Sequence, residues 1–221
     1  MTQGEPDIHR IMATLQAAMV AYHQPLVDGM AEQPQTTPFH VLVATILSLR
    51  TKDTLTAEIA PRLLAIADTP GAMLELSEAR LAEIIYPVGF YRNKARSLLQ
   101  VCRLLLERHA GQVPSTLEEL LALPGVGRKT ANLVLTRGFG LPGICVDTHV
   151  HRICNRWGYV QTSTPDQTEF ALREKLPPEY WIPINGLLVT LGQNLCHPTS
   201  PRCSGCPVAC WCRQVGVTRS R

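Results

Sequence analysis

Apolar residues along this chain recur at intervals of three and four and form no clear alternating run. That period matches an α-helical turn, so each run presents one apolar stripe to a core. The spacing predicts helices over 8–22, 39–49, 56–67, 78–86, 93–109, 117–122, 129–139, 148–157, 167–176 and 184–195. In the segment from Lys94 to Leu106, the residues Leu98, Leu99, Cys102 and Leu105-Leu106 fall on one side. Turn chemistry separates the runs: Thr69-Pro-Gly, Gly111, Pro124-Gly, Gly140-Leu-Pro-Gly, Thr164-Pro and Pro177-Pro. The expected fold class is all-α, with no repeat and no low-complexity tract.

Composition narrows this picture. The 221 residues are 45% apolar and 18% charged, which suits a folded chain of one ordinary domain or two small ones. Aromatic residues reach only 5%, which argues against an all-β sandwich or barrel. The N-terminus carries no apolar secretory core. The longest strongly apolar stretch, about 41–49, is far short of the roughly 18 residues a spanning helix needs. The expectation is an intracellular, cytoplasmic protein without a membrane partner.

The net charge of +3 hides an uneven distribution. Residues 1–89 carry 5 basic and 10 acidic groups, whereas residues 90–156 carry 10 basic and 4 acidic. The second segment is an electropositive block, as a polyanion-binding face requires. A solvated helix surface would look the same by charge alone.

Inside that block lies Leu120-Leu-Ala-Leu-Pro-Gly-Val-Gly-Arg-Lys-Thr-Ala-Asn. The pattern predicts a short helix, a tight turn over Pro124-Gly125-Val126-Gly127, and a new helix from about Arg128. Glycines permit positive φ and close approach of another molecule. Amides at such a turn and at the following helix start can seat a phosphate oxygen, without sequence preference. A plain connector is the alternative, and the adjoining Arg128-Lys129 favours the binding reading. Lys129 falls in the first helical turn beside Arg128, where the helix dipole disfavours a cation. That position favours a neutral, nucleophilic amine able to form a Schiff base with a sugar carbon; a phosphate contact is the plainer role. Asp147, in Val146-Asp-Thr-His, most simply caps the next helix, and a capping carboxylate can still relay protons.

Five of the eight cysteines fall within 196–212. Cys196, Cys203, Cys206 and Cys212 give C-x6-C-x2-C-x5-C. Four thiolates in one loop suit a [4Fe-4S] cluster. Structural zinc competes, weakened by the lack of a second C-x2-C knuckle, and Cys210 could replace Cys212 on spacing alone. Cys102, Cys145 and Cys154 sit in or beside apolar runs and read as core residues.

Taken in order, LPGVGRKTANLVL, VDTH and the cysteine spacing resemble endonuclease III, the iron–sulfur branch of the helix-hairpin-helix DNA glycosylases. VGFYRNKA and LLLERHAGQVP extend the similarity, which covers roughly residues 30–212. The resemblance implies a bifunctional enzyme of base excision repair, which removes oxidised pyrimidines from double-stranded DNA and cleaves the abasic site by β-elimination. It implies that Lys129 is the Schiff-base lysine and Asp147 the catalytic aspartate. It implies that Gly125, Val126, Gly127, Arg128 and Thr130 belong to the DNA-binding hairpin, and that Cys212 rather than Cys210 completes the cluster ligands. It further implies a monomer of two helical domains with the DNA cleft between them, here 31–141 for the six-helix domain and 1–30 with 142–221 for the cluster domain. Arg50 stands where the family often has glutamine, and Phe90 where a wedge leucine is common. Both are expected to meet DNA at the orphan base, with core packing the alternative for Phe90. Adenine-mismatch and thymine-mismatch glycosylases resemble the chain less, because they usually lack the lysine. A non-catalytic DNA-binding module with a structural metal is the rival of another class.

Overall fold

The computed structural model describes residues 6–22, 29 and 35–221. Every regular element among them is helical. In order they are α1 (Ile8–Met19), α2 (Pro38–Ser48), α3 (Asp53–Ile66), α4 (Pro70–Leu74), α5 (Glu78–Ile85), α6 (Tyr91–His109), α7 (Leu117–Leu121) and α8 (Arg128–Leu133). A π-helical turn, Val134–Gly138, continues α8. Then follow α9 (Thr148–Trp157), α10 (Pro165–Lys175) and α11 (Pro183–Asn194), with short 3-10 turns at Pro178–Tyr180, Cys203–Gly205 and Ala209–Trp211.

The helix starts are written in capping chemistry. Thr37, Thr69, Ser77, Thr116 and Thr164 each accept a backbone N–H of the first turn through the side-chain oxygen. Each thereby satisfies an amide that would otherwise lack a partner. Thr69-Pro, expected as a turn, instead opens the five-residue α4: Thr69 accepts from the Ala72 N–H, and Pro70 occupies the first helical position. The last turn of the run expected over 129–139 departs from α geometry into the π turn. There Gly138 lies close against Pro38 of α2, with a Cβ at Gly138 only 3.1 Å from the Pro38 Cα.

The chain divides into two compact units, with the second boundary between Gly143 and Ile144. The expected domain start at residue 31 lies outside the described residues. In one unit, described from residue 35 to Gly143, α2 is buried along most of its length and packs on α3, α6 and the π turn. The other unit joins α1 to everything after Gly143. Its core gathers Ile11, Met12 and Leu15 of α1, Ile153 and Trp157 of α9, and Leu188 and Leu191 of α11. Each such side chain contributes roughly 1.5–3 kcal/mol by leaving water. Gly192 makes the α9–α11 approach possible, since a Cβ there would collide with the His149 ring.

Candidate functional site

The hairpin forms as the sequence implies. α7 ends at Leu121, the Val126 N–H donates to the Leu123 carbonyl at 3.1 Å, and α8 begins at Arg128. Gly125 takes the left-handed conformation at φ +77°. Gly127 does not; it is the extended N-cap of α8 at φ −93°, and nothing lies within 4 Å of where its Cβ would be. Both glycines are exposed, and Arg128 and Lys129 are half-buried behind them.

Two residues expected to meet DNA turn their side chains inward. Val126 is 6% exposed with its N–H already used inside the turn, and Thr130 is 1% exposed. Their side chains anchor the hairpin from the inside and offer no surface to a ligand.

Asp147 is the N-cap of α9. One carboxylate oxygen, Oδ1, accepts the N–H groups of His149 at 2.8 Å and Val150 at 2.9 Å. Those two bonds fix the carboxylate at the positive end of the helix dipole without engaging Oδ2. Capping thus orients this half-buried acid, and its second oxygen is the one that can meet a ligand.

Arg50 and Phe90 come together although forty residues part them in sequence. The Arg50 guanidinium carbon sits 5.6 Å from the centroid of the Phe90 ring. Phe90 is 60% exposed, so the core-packing alternative is overturned. Sequence reasoning missed what holds the pair. Lys94, 7% exposed, donates from Nζ to the Leu47 carbonyl at 2.8 Å, the Leu49 carbonyl at 2.6 Å and Thr51 Oγ1 at 3.0 Å. Burial pushes its ammonium down to about 8. A signal for it existed: Lys94 lies one turn before Leu98 on the apolar stripe of α6, where a lysine is out of place.

In the other unit, Cys196, Cys203, Cys206 and Cys212 line one cavity, together with Arg156, Trp157 and Leu195. Cys210 is exposed and does not line it. The Arg156 guanidinium donates to Cys196 Sγ at 3.3 Å, and the Gln214 N–H to Cys212 Sγ at 3.4 Å. Burial pushes the Cys206 thiol up and the Cys212 thiol to about 11, and the charges of neighbouring thiols add to both shifts. Four thiolates this crowded need a cationic centre among them to be charged together. The four thiols line one cavity, a donor set that a multinuclear iron–sulfur cluster fits.

Among the described residues no helix is long and apolar enough to cross a membrane. A family model described as HhH-GPD superfamily base excision DNA repair protein matches residues 43–178. Endonuclease III of Thermotoga maritima is 47% identical over 172 residues, spanning 78% of this chain and 81% of that protein. Endonuclease III homolog 2, chloroplastic, of Arabidopsis thaliana is 45% identical over 184 residues; the match spans 79% of this chain and 48% of that longer protein. A solved structure of a non-covalent endonuclease III–DNA complex superposes with a TM-score of 0.83 at 33% identity, covering 94% of each chain.

Proposed function

The chain belongs to the endonuclease III family of HhH-GPD base excision DNA repair proteins and is a DNA glycosylase; from that premise we propose that it excises oxidised pyrimidines and cleaves the resulting abasic site through a Schiff base on Lys129. The observation that carries this reading is the placement of Lys129: half-buried in the first turn of α8, immediately behind the exposed Gly125 and Gly127. A backbone phosphate seated on the hairpin would bring its sugar to that amine.

The chemistry follows from the groups present. The Lys129 amine, once its proton has been taken up by a base, attacks C1′ of the damaged nucleotide, and the C1′–N bond breaks as the base leaves with the electron pair and takes up a proton. The amine loses a proton and the sugar ring opens, leaving an iminium joined to Lys129. That iminium acidifies C2′; loss of a C2′ proton expels the 3′ phosphate, and water then hydrolyses the iminium to free Lys129. Asp147, anchored through Oδ1, presents Oδ2 to accept a proton or to stabilise positive charge developing on the sugar. Gly125, Gly127 and Arg128 contact phosphate, while Arg50 and Phe90 fill the space left when the damaged nucleotide leaves the stack. Cys196, Cys203, Cys206 and Cys212 would hold a [4Fe-4S] cluster, which would tie down the loop they span. The DNA partner is a duplex carrying oxidised pyrimidines or abasic sites, and the protein acts as an intracellular monomer.

The test is borohydride trapping on duplexes containing an oxidised pyrimidine or an abasic site, with uracil and adenine mismatches as controls. A covalent complex with the first two, lost in Lys129→Ala, is expected. Strand cleavage that survives Lys129→Ala sinks the assignment.

A further inference from the structure

Arg50 and Phe90 both adopt left-handed backbone, at φ 53° and 57°. Non-glycine residues hold that conformation only where their surroundings enforce it. Arg50 lies between α2 and α3, and Phe90 is the N-cap of α6. Nothing within either segment fixes the other.

One group reaches both. The three N–H bonds of the Lys94 ammonium meet three acceptors, two of them carbonyls at the end of α2 and the third the Thr51 hydroxyl oxygen. Thr51 Oγ1 in turn accepts the Gly89 N–H at 3.1 Å. The two backbones then touch: a Cβ on Gly89 would lie 2.5 Å from the Arg50 carbonyl oxygen. Lys94 itself stands one turn into α6, so its stem is fixed by the helix whose N-terminus carries Phe90. Segment 47–51, Gly89 and Lys94 form one hydrogen-bonded unit with Arg50 and Phe90 projecting from it. A lone buried ammonium is expensive to keep, and three matched acceptors are what make it tolerable.

The geometry points to Lys94, acting through Thr51 and Gly89, as the positioning residue that sets Arg50 and Phe90 relative to one another and thereby sets the preference for the base opposite the lesion. This rests on the proposed glycosylase and lyase activity. Lys94 touches no substrate. Its effect is confined to steps in which a partner strand must be met, because only there do Arg50 and Phe90 act.

The test compares Thr51→Val, which removes the acceptor for both Lys94 and Gly89, with Thr51→Ser, which keeps it. Lys94→Met is the more severe variant. Two single-turnover rates are read for each: excision from duplexes with each of the four opposite bases, and cleavage of an abasic site in single-stranded DNA, where no orphan base exists. Thr51→Val should compress the spread among opposite bases by about tenfold, as a misplacement on the ångström scale does. It should leave single-strand cleavage unchanged, and Thr51→Ser should restore the spread. A spread that survives both Thr51→Val and Lys94→Met overturns the proposal. So does an equal fall of duplex and single-strand rates in Thr51→Val, which marks general damage to the fold. A wild-type protein inactive on both substrates overturns the functional reading itself, and is told apart by failing before any substitution is made.

Discussion

The Arg50 guanidinium lies over the face of Phe90, with 5.6 Å between its carbon and the ring centroid, and the ring remains exposed. A cation held over an aromatic face gains about 0.5–1 kcal/mol at an exposed site, so the pair is arranged before any ligand arrives. Base-on-aromatic stacking is worth roughly 1–3 kcal/mol. Phe90→Ala should therefore weaken binding to a duplex carrying an abasic-site analogue about tenfold or more, read by fluorescence anisotropy. Phe90→Leu should recover most of that loss, and Arg50→Gln should reorder the opposite-base ranking with little effect on affinity.

Gly125 and Gly127 separate folding from binding. Gly125 has φ +77°, so Gly125→Ala should cost about 1 kcal/mol of stability. Gly127 is extended with open space around it, so Gly127→Ala carries no backbone strain and should cost only the loss of glycine as the N-cap, about 0.5 kcal/mol. Both methyl groups would stand in the way of a phosphate. DNA affinity should fall in both variants while thermal stability falls more in the first.

Asp147 permits a similar separation. An asparagine at that position still offers an oxygen to the His149 and Val150 amides, and asparagine caps helices about as well as aspartate. Asp147→Asn should keep its stability within about 0.5 kcal/mol while losing excision activity. Asp147→Ala should lose activity and, in addition, about 1 kcal/mol of stability by urea unfolding.

The cysteines should sort by their place around the cavity. With the proposed cluster, Cys206→Ser should lower iron content and the visible absorbance of an iron–sulfur chromophore, and should destabilise the unit that carries these cysteines. Cys210→Ser should change neither, because that side chain is exposed and outside the cavity. Iron removal by chelation should reproduce the Cys206 phenotype.

Lys94 gives a pH signature. Its folded pKa is depressed to about 8 from 10.5. Between those values the unfolded chain keeps the proton that the folded chain has released. The unfolded state then binds more protons, and stability rises with pH. Wild type should gain unfolding free energy relative to Lys94→Met between about pH 8 and 10.5, measured by urea titration at several pH values.

Most helices were legible because an apolar stripe and a capping residue mark each independently, and α9 matches the expected 148–157 residue for residue, with Asp147 capping its start. Thr69-Pro misled because a cap followed by proline opens a helix as readily as a turn. Leu106, expected on the core side of α6, is 44% exposed. Of the candidate site, Gly125 and Asp147 were readable, since each obeys a local rule about φ or capping. Val126 and Thr130 were not, because whether a hairpin side chain points inward depends on packing that spacing does not encode. Lys94 escaped for the same reason: its three acceptors lie more than forty residues upstream.

The sequence order of the two units bears on how the protein emerges from the ribosome. α1 carries Ile11, Met12 and Leu15, yet the α11 residues Leu188 and Leu191 in the same core come only after the whole of the other unit. At roughly 5–20 residues per second, α1 waits on the order of ten to thirty seconds for that partner. During that interval the intervening unit already has its full chain and can fold first. The apolar stripe of α1 is thus the nascent protein's longest-lived sticky surface, and the one a chaperone would shield.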